Sequence, residues 1–413
     1  MRAAARAPAA AEPEVEVEVV ALAAGGDGVA RLPDGLTLFV PLAAPGDRLR
    51  VRVVERRKRF ARAEIDEILE AGPGRVIPDC GFFGRCGGCQ WQHLDYSVQV
   101  AAKKEILREA LARIGGWTLP RDIPFAASPS PYGYRARTRL LSGRDGIGYR
   151  QRRSHALCAV DRCPVLVAEL QDELCRLAAE PGLRDQRGSG GEQELLVDRH
   201  GGVRSTRIDS SGHRPRDVAH ERIEVLAGAD RMGVSAGTFV QGNLLLRDLL
   251  HEAVLAAAGR GHRALELYAG AGFFTLALAR SFDVVDAIES SAGAVADLRA
   301  NLKAVDLDGV RVIRGDAEES LRSAVGPTPD LILLDPPRVG LSPGALEALA
   351  QLGAPRIVYL SCDPATLSRD TARLRPHGYA LDSVRGFDLF PQTSHIEALA
   401  ILVLAPSGPA APG

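Results

Sequence analysis

"RALELYAGAGFFTLALA", residues 263–279, divides into three pieces. Residues 263–268 are an apolar strand, "AGAG" is a glycine-rich turn, and "FFTLALA" opens a helix. A strand that passes through glycine into a helix is the repeating unit of parallel α/β sheets. The same alternation continues from about residue 231. Strands are expected at 263–268, 284–288, 310–313, 330–334 and 356–360, with helices between them and two more strands near 380–388 and 395–403. This predicts an α/β fold with a doubly wound, mostly parallel sheet over 231–406.

In such sheets ligands gather outside the carboxyl ends of the strands. Gly270 and Gly272, after the first strand, let a backbone approach a ligand closely. The spacing E-L-Y-A-G-A-G is not the G-x-G-x-x-G of dinucleotide binders. The second strand ends at Glu289 and the third runs into Asp316. Each acid alone is equally a helix N-cap. The ordered set of glycine turn, acid and acid is similar to the class I S-adenosylmethionine-dependent methyltransferases.

The fourth strand closes in "LILLDPPRVGL", residues 331–341. Many amino-methyltransferases carry D/N-P-P-Y/F there, and Arg338 in the aromatic's place argues against N-methylation of a base. The fifth, "RIVYLSCDPATLSRD" (356–370), places Cys362 just past its end, where a helix opens at Asp363-Pro364. Amide dipoles at a helix start are expected to lower the thiol's pKa. "FPQTSHIEALAILVL" (390–404) then brings His395 and Glu397 to the same edge if the last strand runs antiparallel. A thiol and a carboxylate suit methylation at C5 of uracil, a weak carbon nucleophile. Thiolate addition at C6 makes C5 an enolate carbon, and a base must later remove the C5 proton.

These residues resemble the RNA 5-methyluridine (uracil-C5) methyltransferases of the RumA/RlmD and TrmA type, over nearly the whole chain. "FVQGN" (239–243), "ELYAGAGFFTL", "DPPRVGL", "SCDPATLSRD" and "HIE" look like that family's motifs in its order. The resemblance implies Cys362 as nucleophile and Glu397 as base. It implies Gln241 and Asp335 at the uracil, and Tyr268, Gly270, Gly272, Glu289 and Asp316 around S-adenosylmethionine, with Gln241 and Asp335 close by. Asp363 departs from the asparagine common after the cysteine, and a charge beside a thiolate can raise its pKa.

Residues 13–70, with "EVEVEVV" and short strands joined by turns, read as a small β-barrel. It looks like the family's TRAM domain, an OB-type RNA-binding module. A central domain is expected over 71–230, with a helix near 97–115, and tails at 1–12 and 407–413. Within it Cys80, Cys86 and Cys89, with Cys163, are similar to the family's [4Fe–4S] ligands. By chemistry alone four thiolates suit zinc or iron–sulfur about equally. Cys158 competes as fourth ligand, and Cys175 is expected to be simply packed.

Net charge is −1, yet arginines are clumped at 47–62 and at 134–153, the latter among Tyr132, Tyr134 and Tyr149. One such run is ordinarily a solvated face, but two point to nucleic acid. Arg135 and Arg137 are expected at the RNA. Seven cysteines with no signal sequence suggest a reducing, cytoplasmic setting rather than a disulfide framework. No stretch of 18 uncharged apolar residues occurs, so no membrane span is expected. A monomer with no obligate protein partner is expected. By resemblance, barrel and cluster together favour 23S ribosomal RNA over transfer RNA. The other readings are base N-methylation and a non-catalytic RNA-binding protein.

Overall fold

The computed structural model describes residues 14–180, 191–208, 222–323 and 326–405. Both expected tails lie outside them, as do 184–190 of the loop expected at 184–193; Glu192 already opens a strand. The chain forms two compact units, Met1–Ile106 with Pro391–Ser394, and Leu107–Phe390 with His395–Gly413.

The first unit carries a six-stranded sheet: β1 (Val15–Glu18), β2 (Ala21–Leu22), β3 (Gly28–Arg31), β4 (Thr37–Val40), β5 (Arg48–Arg56) and β6 (Phe60–Glu70), in the order β1-β5-β6-β4-β3-β2. In β5 arginine and apolar residues alternate, so Leu49, Val51 and Val53 point inward to the core with Val17, Leu38 and Val40. Arg48, Arg50 and Arg52 point outward and meet the acids of β6, with Arg52 Nη2 2.8 Å from Glu64 and Arg48 Nη1 3.3 Å from Glu70. The run read as a basic face is therefore largely neutralised across the ladder. Residues 71–106 pack with this sheet rather than with a separate central domain. Asp47, fully buried, accepts from Gly72 N and Arg75 Nε at 2.9 Å each, and Trp91 Nε1 donates to Gly26 O at 3.0 Å. The bonds from Arg75, Gly72 and Ala44 hold the Asp47 carboxyl below the usual range despite its burial. Helix α1 (Tyr96–Arg113) follows.

The second unit begins with β7 (Phe125–Ala126) and a five-stranded sheet of β8 (Arg137–Gly143), β9 (Gly146–Arg150), β10 (Leu157–Ala159), β11 (Glu192–Val197) and β12 (Val203–Ile208), with α2 (Ala168–Ala179). A hairpin, β13 (Ile223–Ala227) and β14 (Asp230–Val234), leads to α3 (Arg247–Ala258). The large sheet then alternates β15 (Gly261–Leu267), α4 (Thr275–Leu278), β16 (Phe282–Glu289), α5 (Ala292–Ala304), β17 (Val310–Arg314), α6 (Ala317–Arg322), β18 (Leu331–Leu334), α7 (Pro343–Leu352), β19 (Arg356–Ser361), α8 (Pro364–Leu374), β20 (Tyr379–Phe387) and β21 (Glu397–Leu404). Its order is β17-β16-β15-β18-β19-β21-β20-β7. All four β18 residues are buried, as a strand covered on both faces requires. β15 to β19 are mutually parallel and β21 runs against β19. This is the class I methyltransferase topology. Ser361 pairs with Ala398, so Cys362 and Glu397, each one residue beyond that pair, fall at one edge.

Candidate active site

One cavity of about 510 Å³ opens at the carboxyl edge of the large sheet. Its wall takes Gln241, Tyr268, Gly270, Glu289, Asp335, Arg338, Cys362 and Glu397, drawn from the turns and strand ends along that edge. At the β15 turn Tyr268 has φ +63° and Gly270 φ +59°. A Cβ on Gly270 would meet nothing within 4 Å, so this backbone faces open space. Glu289 Oε2 accepts from Gly270 N at 2.9 Å, joining the first two strand ends. Open backbone, an aromatic side chain and a carboxylate suit the adenosine and methionine parts of S-adenosylmethionine. Gly272 does something else: its Cβ would sit 2.7 Å from Leu298 Cδ1, so it lets α5 pack closely rather than touching the cavity.

Asp316 also departs from its expected place. Its carboxylate accepts from Glu318 N and Glu319 N as the N-cap of α6, and it lines a separate depression with residues of that helix. Its charge nevertheless contributes, after burial, to pushing the Tyr268 hydroxyl up to about 12.

At the other end of the cavity four ionisable groups converge. Cys362 lies between the end of β19 and the α8 N-cap, Asp363. Burial, and then the neighbouring Glu397, push its thiol up to about 11, while Arg338 opposes them by charge and by a hydrogen bond to the sulfur. The expected lowering by the helix start is thus reversed, because burial and nearby carboxyls outweigh the dipole. Asp363 is not the cause: its carboxylate accepts from Thr366 N at 2.8 Å. Burial raises Asp335 to about 7, and burial with Asp335's charge holds Glu397 well above the usual range. Below them Glu266, fully enclosed in β15, is pushed to about 8, chiefly by burial. Arg338 Nη2 lies 2.9 Å from His395 Nε2.

Two aromatic residues, Phe239 and Phe390, also line this cavity. Phe239 is 65% exposed, with the Arg137 guanidinium 5.7 Å from its ring centre. Phe390 packs edge-on to His395 at 6.0 Å. Phe239's signal was its place two residues before Gln241.

Several expected RNA contacts are engaged elsewhere. Arg137 donates from Nε to the buried Glu194 at 3.0 Å, and Arg139 joins the same carboxylate. Arg135 pairs through its backbone with Leu166 and Asn243. Tyr134 is buried and Tyr149 half-buried, the Tyr149 hydroxyl lying against Thr138 and Cys163. Cys175, expected to be packed, is exposed and donates to Asp161 O at 3.2 Å. Cys80, Cys86, Cys89 and Cys163 form no disulfide among the described residues, and Gly88 N donates to Cys86 Sγ at 3.4 Å. Among the described residues no group of three or more His, Cys, Asp or Glu is gathered as a metal site.

Comparison with known proteins agrees with this geometry. A family described as tRNA (Uracil-5-)-methyltransferase matches residues 328–404, and the TRAM domain matches 13–65. An RNA methyltransferase of Gloeobacter violaceus, itself uncharacterized, is 34% identical over 92% of this chain and 94% of its own. The 23S rRNA (uracil(1939)-C(5))-methyltransferase of Halomonas elongata is 33% identical over 92% of this chain and 88% of its own. Among solved structures, the Pyrococcus abyssi tRNA (uracil-54, C5)-methyltransferase in complex with S-adenosyl-L-homocysteine superposes with a TM-score of 0.72 at 26% identity. It covers 94% of this chain and all of that one. The chain belongs to the RNA (uracil-C5) methyltransferase family.

Proposed function

We propose that this protein transfers a methyl group from S-adenosylmethionine to C5 of a uridine in RNA, with Cys362 as nucleophile and Glu397 as general base. The observation that carries this is the single cavity that holds the thiol, the carboxyl that opens β21, Arg338 and the glycine turn. When bound, the cofactor supplies an electrophilic methyl on sulfur. Cys362 Sγ bonds to C6, and the C5=C6 electron pair moves toward O4. C5 then takes the methyl as the methyl–sulfonium bond breaks and leaves a neutral thioether, Glu397 removes the C5 proton, and the C6–S bond breaks to return the thiolate. In this reading Gln241 and Asp335, which line the same cavity, hold the flipped base.

Large-subunit ribosomal RNA is the favoured substrate, supported by the 23S-specific relative that spans nearly this whole chain. Transfer RNA is the second reading, favoured by the Pyrococcus neighbour, which also spans the chain, so the presence of the barrel does not separate the two. An RNA-modifying role and unbridged cysteines support a cytoplasmic setting.

The test uses 5-fluorouridine-substituted ribosomal and transfer RNAs with S-adenosylmethionine. Fluorine at C5 cannot leave as a proton, so a denaturant-stable adduct at Cys362 is expected, and the RNA that shifts identifies the substrate. Cys362→Ala should form none and still bind cofactor. An adduct formed by that variant, or none formed by the wild type with cofactor bound, would overturn the mechanism.

The cysteines carry a separate part of the proposal. Cys80, Cys86 and Cys89 within ten residues, together with Cys163, are read as [4Fe–4S] ligands; their spacing, which resembles the family's cluster motif, supports this. Anaerobically purified protein should show broad visible charge-transfer absorbance and contain iron. Zinc in its place, or no metal, would remove the reading.

A further inference from the structure

Between β20 and β21 the chain passes through Pro391–Ser394, which packs within the first unit, while Phe390 and His395 on either side belong to the second. In that stretch Gln392 has φ +68°, a left-handed conformation uncommon for any residue with a Cβ. Such a conformation persists only where its surroundings impose it.

They do so here through four hydrogen bonds. Gln99, fully buried on α1, accepts from Gln392 N at 2.9 Å through Oε1 and donates to Gln392 Oε1 at 2.9 Å through Nε2. The Gln392 carbonyl accepts from Gln90 N and Trp91 N, both at 3.0 Å. Gln99 Nε2 also faces Trp91 O at 3.1 Å and Leu94 O at 3.0 Å. Three acceptors around one end of the amide and a donor at the other allow only one orientation. A turn that merely reversed the chain would favour glycine or asparagine at positive φ. A buried glutamine with an exchanged amide pair instead holds this turn in a single conformation. His395 follows three residues later and Glu397 five.

We infer that the Gln99–Gln392 amide pair is a positioning device for Glu397. The inference rests on the reading of Glu397 as the base that removes the C5 proton. That step comes after thiolate addition and methyl transfer. A displaced Glu397 should therefore leave the methylated adduct standing, with the Cys362 Sγ–C6 bond intact and the C5 proton still in place.

Gln99→Met keeps the side-chain volume and removes both exchanged bonds. Turnover on unsubstituted RNA should fall on the order of a hundredfold, as small misplacements of a reacting group do. A denaturant-stable protein–RNA adduct should accumulate. Adduct formation on 5-fluorouridine RNA and the cofactor Kd should be unchanged. Adding Gln392→Gly should restore part of the turnover, because glycine takes the left-handed conformation freely. Glu397→Gln is the control and should accumulate the same adduct; its failure to do so would sink the base assignment rather than the positioning. If that control traps the adduct while Gln99→Met turns over normally, the positioning is wrong. It is equally wrong if Gln99→Met slows fluorinated-adduct formation as much as turnover. Should Gln99→Met fail to bind cofactor, Gln392→Met decides, since it leaves Gln99's bonds to Trp91 and Leu94 in place. Adduct accumulation then supports the inference, and normal turnover overturns it.

Discussion

At the scale of single residues, the thiol of Cys362 is held against its chemistry. In the proposed mechanism attack on C6 requires the thiolate, yet burial and Glu397 push the thiol up to about 11. Arg338 is the one neighbour that acts in the opposite sense, by charge and by a hydrogen bond. The sign follows directly. Raising the pH increases the thiolate fraction and also ionises Glu397 into its base form, so both required states are gained from neutral into alkaline solution. The kcat/KM profile of the wild type should climb between pH 7 and 9. Arg338→Met removes both effects that favour the thiolate, so its rising limb should move to higher pH. Activity at pH 7 should fall at least about tenfold, the equivalent of one pKa unit. Tritium transfer from labelled cofactor, followed across pH, reads this. A variant profile that superposes on the wild type after scaling would show that Arg338 does not set the thiol.

At the scale of elements, two sequence motifs prove to be halves of one clasp. Thr366 Oγ1 donates to Arg338 O at 2.9 Å, and Arg369 Nη2 to Val339 O at 2.9 Å. Leu341 N and the Tyr359 hydroxyl both donate to the buried Asp370, at 2.9 and 2.8 Å. A Cβ on Gly340 would stand 2.2 Å from Thr366 Cγ2, so the loop lies flat on α8. "DPPRVGL" and "SCDPATLSRD" were each legible as motifs because an apolar run ends in an acid or a thiol at a turn. That they fasten one another was not legible, since it depends on the parallel pairing of β18 with β19. The same division recurs elsewhere. The strand ends that bring Gly270, Glu289, Asp335, Cys362 and Glu397 to one edge follow from α/β alternation, which is local and periodic. The role of Gly272 and the pairing of Arg137 depend on partners 26 and 57 residues away in the folded chain. The sign of the Cys362 shift likewise depends on which charges fold around it.

At the scale of the whole molecule, the arginine runs are better described as paired than as basic. The net charge is −1, and in the 47–62 run Arg48, Arg50 and Arg52 each face an acid across β5 and β6. In the 134–153 run Arg137 and Arg139 share Glu194, and Arg150 meets Glu192 at 3.2 Å. An arginine already neutralised by a carboxylate gains little by moving to a phosphate, and it releases few counterions from the RNA when it does. RNA binding should therefore show a shallow salt dependence for so arginine-rich a chain. Replacing Arg50 and Arg52 together with alanine should change the slope of log K against log[salt] by less than about one unit. Because each pair is solvent-exposed, stability should fall by no more than about 1 kcal/mol per pair. If the two arginines instead bind phosphates, the slope should drop by about two units and affinity should weaken across all RNA sequences alike. Filter binding over a range of salt concentrations separates the two outcomes. The paired result would assign RNA selection to the surroundings of the catalytic cavity, where exposed Phe239 and Arg338 meet solvent, rather than to the outer face of the barrel sheet.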